Sequence, residues 1–261
     1  IDEGAFSERG IDLQWTDIPE GTGRMCQLLD NNETDIAIIL TEGLIKSITE
    51  GNQSRIIQEY IASPLQWGIH VAANSDYYEI DQLNNTKAAI SRFGSGSHLM
   101  SYVNAQNQNW NLDSLQFEVI NNLDGAVKAL TDGTADYFMW EHFTTKPLVD
   151  DGTFRRITDC PTPWPCFVIA ATKEFIDNNK STLTHILEII NAYSSEFKNI
   201  PSIDKTLSIR YEQKLEDIQE WLSITQWSQQ QINVAKVDMV NKTLIKLNRI
   251  AKELAYSELV I

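Results

Sequence analysis

A helix, a polar turn and an apolar strand recur at two places in this chain, and that recurrence constrains its fold more than any other feature. Met25, Leu28 and Leu29 fall at helical spacing, Asp30-Asn31-Asn32-Glu33-Thr34-Asp35 is rich in turn formers, and Ile36 to Leu40 is wholly apolar. The second copy runs Val127-Lys128-Ala129-Leu130, then Thr131-Asp132-Gly133-Thr134-Ala135-Asp136, then Tyr137-Phe138-Met139-Trp140. Aligning Asp35 with Asp136 superposes Leu29 on Leu130. An apolar run without alternation predicts a buried parallel strand, so the chain reads as two α/β lobes of related design. Each strand leads into a carboxylate: Glu42 after Thr41, and Glu141 after Trp140. Ligands of open α/β sheets bind beyond the carboxyl ends of strands. Glu42 and Glu141 are therefore expected to face one another across a cleft.

Arg92-Phe93-Gly94-Ser95-Gly96-Ser97-His98 marks a third such place. Ala88, Ala89 and Ile90 before it suit a buried strand, and Leu99, Met100, Tyr102 and Val103 after it suit a helix. Gly94 and Gly96 permit unusual backbone angles and close approach of a ligand. The first N–H groups of the helix, lacking intrahelical acceptors, would receive an anion or a polar group. The stretch is neither a dinucleotide fingerprint nor a GxxxxGK phosphate loop. A bulky residue at Ser97 is accordingly expected to abolish binding with little change in the melting temperature of the empty protein. Two further stretches, Pro64 to Ala73 and Trp164 to Ala171, each place a tryptophan beside Pro or Gly ahead of β-branched residues. They suit crossings between lobes, and Trp67 and Trp164 offer flat faces for stacking.

Elsewhere, Ile11-Asp12-Leu13-Gln14-Trp15 alternates as a half-buried strand does, Leu44 to Thr49 reads as a helix and Ile56 to Tyr60 as a strand. Beyond Lys173 the periodicity is helical: Leu183, Ile186, Leu187, Ile190, Tyr193 and Phe197 form one stripe, and Leu215, Ile218, Trp221 and Leu222 another. Ser228 reads as the N-cap of a long helix carrying Ile232, Val240, Leu244, Leu247 and Ile250. These helices are expected to pack back on the first lobe. Ile1 to Phe6 looks like the tail of a helix, so an opening strand is expected to precede the chain.

A net charge of −15 and a pI near 4.6 argue against nucleic acid and anionic membrane as partners. Three cysteines cannot complete a disulfide framework, and no zinc ligand set is present. Free thiols, no metal and no cofactor are the expectation.

Glu3-Gly-Ala-Phe6, Gly10-Ile-Asp12, Gly21-Thr-Gly23, Asp35-Ile-Ala37, Thr41-Glu-Gly43, Ser63-Pro-Leu-Gln-Trp-Gly-Ile-His70, Ser91-Arg-Phe-Gly-Ser-Gly-Ser-His98, Trp140-Glu141, Lys146-Pro-Leu-Val149 and Pro163-Trp-Pro-Cys-Phe167 together resemble type II periplasmic-binding-protein-like proteins. The resemblance is to the alkanesulfonate, nitrate and thiamine-pyrimidine branch, and within it to a subgroup with intracellular fungal members. It implies an α/β fold of two three-layer lobes joined by two crossing strands, with lobe I at 1–66 plus 170–261 and lobe II at 67–169. It implies a ligand held between the lobes, with Thr22, Gly23, Thr41 and Glu42 in the first wall. Gly94, Ser95, Gly96, Ser97, His98, Trp140 and Glu141 would form the second, and Trp67 and Trp164 would stack on the ligand.

The expected function is non-catalytic binding of a small polar, heteroaromatic or anionic molecule, a thiamine-pyrimidine precursor among them, by a monomer. A thiamine-pyrimidine synthase on the same fold is the alternative, although its cysteine-rich run is missing here; a ligand-free interaction or sensory domain is the third reading. The Asn-rich composition, free cysteines and fungal-like resemblance lean to the cytoplasm. A periplasmic or membrane-anchored location stays open, and membrane subunits of an ABC transporter would then be partners.

Overall fold

The computed structural model describes residues 1 and 3–261. The chain forms two compact units, Ile1–Ser63 with Trp164–Ile261, and Pro64–Pro163. Unit 1 opens on turns and a 3₁₀ turn at Ser7–Arg9, where the tail of a helix was expected. Ile11–Trp15 is not a strand. Its alternation survives as partial cover of Ile11 and Leu13, but it has no ladder partner among the described residues and Trp15 is 56% exposed.

Helix α1 (Thr22–Asp30) leads to β1 (Ile36–Leu40), α2 (Thr41–Thr49) and β2 (Arg55–Ile61). Unit 2 follows: β3 (Gln66–Ala72), β4 (Lys87–Ile90), α3 (Gly96–Asn107), β5 (Gln116–Val119), α4 (Leu123–Thr131), β6 (Tyr137–Glu141), α5 (Lys146–Asp150) and β7 (Phe154–Pro161). The chain then returns to unit 1 with β8 (Phe167–Ala171), α6 (Lys173–Asn178), α7 (Lys180–Glu196), α8 (Ile203–Tyr211), α9 (Leu215–Ile224), α10 (Val234–Lys246) and α11 (Tyr256–Leu259).

The sheet of unit 1 has the order β1-β8-β2, and β8 runs antiparallel to both neighbours. The expectation of a parallel strand at Ile36–Leu40 is thus corrected: its partner is antiparallel, and only Ile39 is fully buried. Because β8 pairs from its first residue, Phe167 to Leu40, residues 167–169 lie in unit 1. Ile57 and Ala171 pack under Ile176 and Leu183 of α6 and α7. In α7 the buried stripe is Leu183, Ile186 and Ile189, while Tyr193 is exposed.

Ser228 does not cap a helix. Its N–H donates to the Tyr60 carbonyl, and the Gln226–Gln230 segment runs along the outer edge of β2. The helix starts six residues later, where the Asn233 side chain accepts from the Lys236 N–H.

Unit 2 holds a five-stranded sheet of order β5-β4-β6-β3-β7. The β4 strand is parallel to β5 and β6, whereas β3 is antiparallel to β6 and β7. Ala126, Ala129 and Leu130 of α4 pack on the face carrying Ala72, Ala89 and Phe138. Alternate strand residues face the other way. There α3 lies over the sheet, with Asn107 Nδ2 donating to Cys160 Sγ. Cys26, Cys160 and Cys166 are buried free thiols. Among the described residues no helix is long and apolar enough to cross a membrane.

Candidate functional site

The unit 1 candidates meet because of strand register. Pairing Leu40 with Phe167 puts the residues after β1 beside those before β8. The Thr41 N–H donates to the Cys166 carbonyl (3.1 Å), and Thr41 Oγ1 donates to the Pro165 carbonyl (2.6 Å). Trp164 Nε1 donates to Glu42 Oε2 (2.8 Å), joining residues 122 apart in sequence.

The start of α1 closes on the same place. A Cβ on Gly43 would overlap the Thr22 methyl group, so the close approach of the two helix starts requires glycine there. Beside it, Cys26 Sγ donates to the Gly43 carbonyl. Thr22 and Gly23 are the first residues of α1, and their N–H groups have no acceptor among the described residues. Thr22, Gly23, Thr41, Glu42 and Trp164 therefore form one group.

Glu42 is the unusual member. It is 3% exposed, and its Oε1 is shut from solvent without a hydrogen-bond partner among the described residues. Burial pushes the carboxyl up to about 7, against the downward pull of its backbone hydrogen bond and of the Trp164 indole. A buried acceptor left open costs about 1–3 kcal/mol, which sets Glu42 apart from an ordinary core residue.

The unit 2 candidates share one end of their sheet. Trp67, the second residue of β3, lies opposite Glu141 and Cys160, and the turn after β4 lies at the same end, since β4 runs parallel to β6. The turn is built as a strand-to-helix joint. Gly94 has φ of +82°, Ser95 is the N-cap of α3, and its Oγ accepts from the His98 N–H. Gly96 is already helical, so of the two glycines only Gly94 uses its conformational freedom.

Two expectations about side chains change here. Ser97 is 1% exposed and turned inward: its Oγ accepts from the Ser91 N–H (3.0 Å) and lies 3.1 Å from Ser95 Oγ. A bulky residue there would break the turn, so the expected separation of binding from folding does not hold. His98 is buried too, with Nδ1 accepting from the Gly94 N–H (2.9 Å) and its ring edge-on to Phe93, Tyr102 and Phe117. At the turn the N–H groups of Gly96 and Ser97 have no backbone acceptor among the described residues, and Phe93 is exposed.

Glu141 Oε2 accepts from the Thr144 N–H and hydroxyl, both at 2.7 Å, and so caps its own turn. Trp140 stacks on Phe138 and meets Trp67 edge-on, with ring centroids 6.4 Å apart; Trp67 Nε1 is buried without a partner among the described residues.

A polar network at the same end was not singled out from the sequence. His142 Nδ1 lies 2.9 Å from Asp159 Oδ1, with Arg156 against the His142 ring. Nearby, His70 Nε2 is 2.9 Å from Thr145 Oγ1. Burial, aided by the Arg156 charge, lowers His70 to about 4. Burial raises Asp159, but its bond to His142 and the adjacent Arg156 prevail and hold it below its usual range. The residues lie on two strands, β3 and β7, and the turn after β6, and only Gly68-Ile69-His70, a polar ring inside an apolar run, could have signalled them.

Residues 67–160 match the model of the Ca3427-like periplasmic-binding-protein family. No curated protein sequence matches the chain significantly. Among solved structures, the Candida albicans CA3427 gene product, described as defining a new family with the generic periplasmic binding protein fold, is 25% identical with a TM-score of 0.86, over 97% of this chain and 86% of that one. The alkanesulfonate-binding protein SsuA of Xanthomonas axonopodis pv. citri, bound to MOPS, is 11% identical with a TM-score of 0.83, over 100% and 92%. SsuA of Escherichia coli, a periplasmic aliphatic sulphonate binding protein, is 14% identical with a TM-score of 0.73, over 100% and 86%. The chain thus has the type II periplasmic-binding-protein fold, and its second unit matches the Ca3427-like family.

Proposed function

We propose that this protein binds a small polar or heteroaromatic molecule without transforming it, and that the Thr22–Gly23, Thr41–Glu42 and Trp164 group of unit 1 receives it. The observation that carries the proposal is the open, buried Oε1 of Glu42. A fold that needed no ligand there would do better with an apolar side chain or a second donor. In this reading Glu42 accepts from an N–H of the ligand. Trp164 supplies an apolar wall. A thiamine-pyrimidine precursor carries the needed groups and is the finer proposal.

Thermal unfolding against aminopyrimidines, amidines, sulfonates and carboxylates tests this. A ligand at a hundred times its Kd adds about 2.7 kcal/mol, so at least one class should raise the melting temperature by several degrees. A flat response across all four would reject binding and favour the interaction-domain reading. Growth of product in any mixture would favour the enzyme reading.

A further inference from the structure

The unit 1 group carries a narrower statement about ligand class, which rests on the binding function proposed above. We propose that the open Oε1 of Glu42 takes a protonated N–H donor, an amidinium or ammonium of the ligand, and that donor-free anions are refused at this position.

The geometry leaves little else. Oε2 is taken by Trp164 Nε1, a group that can only donate, and this bond fixes the carboxyl plane. Oε1 has no hydrogen-bond partner among the described residues. The surroundings supply no counter-charge. Along α2 the first cation is Lys46, and it is paired with Glu50. From α1 the titratable neighbour is Cys26, whose thiol burial pushes up, while Arg24 is engaged by Glu33 at the surface. Neither β1 nor β8 has a charged residue, and the Trp164–Cys166 segment adds only Cys166. From α10, Lys236 is bonded to Glu59. A ligand cation would be the missing partner.

The rest of the chain points the same way. Its net charge of −15 attracts cations and repels anions at long range. The raised Glu42 carboxyl, near 7, means that the empty site holds a proton for a good part of the time at neutral pH. Binding a cation must expel that proton, so affinity rises with pH.

Calorimetric titration with benzamidine and acetamidine, against methanesulfonate and acetate, reads this directly. The amidines stay charged throughout the range used. Wild-type protein should bind an amidine with release of about half a proton at pH 7, seen by comparing phosphate with Tris buffer, and about tenfold more tightly at pH 8 than at pH 6. Glu42→Gln should remove both the binding and the proton release while keeping a cooperative melt.

Amidine binding that Glu42→Gln leaves intact, or that shows no pH dependence, would overturn the proposal. So would binding of methanesulfonate or acetate that Glu42→Gln abolishes, and so would amidines that do not bind at all. The wider thermal panel separates the two claims: a response from another class there, with none from amidines, leaves the binding function standing and sinks this inference alone.

Discussion

Replacing Glu42 by Gln keeps the side-chain shape and an oxygen for Trp164 but removes the titration. In wild-type protein the folded carboxyl has a pKa of about 7, against 4.5 for the ordinary group, and burial is the main cause. A carboxyl raised in the folded state gives stability that is fully present below pH 4.5 and lost as pH rises through 7, because the folded form binds the extra proton. The gap is 2.5 pH units, the difference of the two values just given, and each unit corresponds to about 1.36 kcal/mol. Most of the loss falls between pH 5 and pH 8, where it comes to about 2.5 kcal/mol. Urea unfolding of both proteins at pH 5, 6, 7 and 8 isolates this term, since every other titrating group is common to the two. The unfolding free energy of wild type minus that of Glu42→Gln should fall by about that amount from pH 5 to pH 8. A difference that stays flat within about 0.5 kcal/mol would refute the reasoning, since Glu42 would then be solvated or paired in a way the geometry does not show.

Other consequences follow from single contacts. Ser97→Ala strands the buried Ser91 N–H and should cost about 1–3 kcal/mol by chemical denaturation; an unchanged midpoint would put Ser97 outside the frame of the turn. Gly43→Ala should cost about 1–3 kcal/mol through overlap with Thr22, and adding Thr22→Ala should restore much of it, as a coupled pair would. His70 is lowered from 6.5 to about 4, so its contribution is present above pH 6.5 and lost as pH falls toward 4; His70→Gln should flatten acid unfolding across that window by about 3 kcal/mol. Asn233→Ala removes the cap of α10 and should cost about 1 kcal/mol.

Where elements announce themselves locally, sequence and structure agree. Ile36–Leu40 and Tyr137–Glu141 are strands because unbroken apolar runs between turn formers can be little else. The partner of Ile36–Leu40 was not legible, since β8 arrives from beyond the whole of unit 2 and no local pattern encodes direction. Ile11–Trp15 shows the converse: alternation describes half-cover, and half-cover without a partner strand makes no sheet. Ser228 failed for a related reason, because the same hydroxyl that caps helices also closes an edge segment, and Asn233 held the better position.

At the site, residue identities were readable and their orientations were not. Thr41, Glu42 and Trp164 come together through a register that only folding reveals. Ser97 and His98 stood out by type, yet both turn inward to hold the joint. The His142, Arg156 and Asp159 network escaped notice because its members are ordinary singly and are joined only by the pairing of β3, β6 and β7.

Native mass spectrometry of the protein, mixed with a small-metabolite extract and desalted gently, puts the central claim to its most direct test. Wild-type protein should carry one small-molecule adduct whose released compound contains a basic nitrogen, and Glu42→Gln should emerge bare. An adduct retained equally by both proteins, or none on either, would contradict the account.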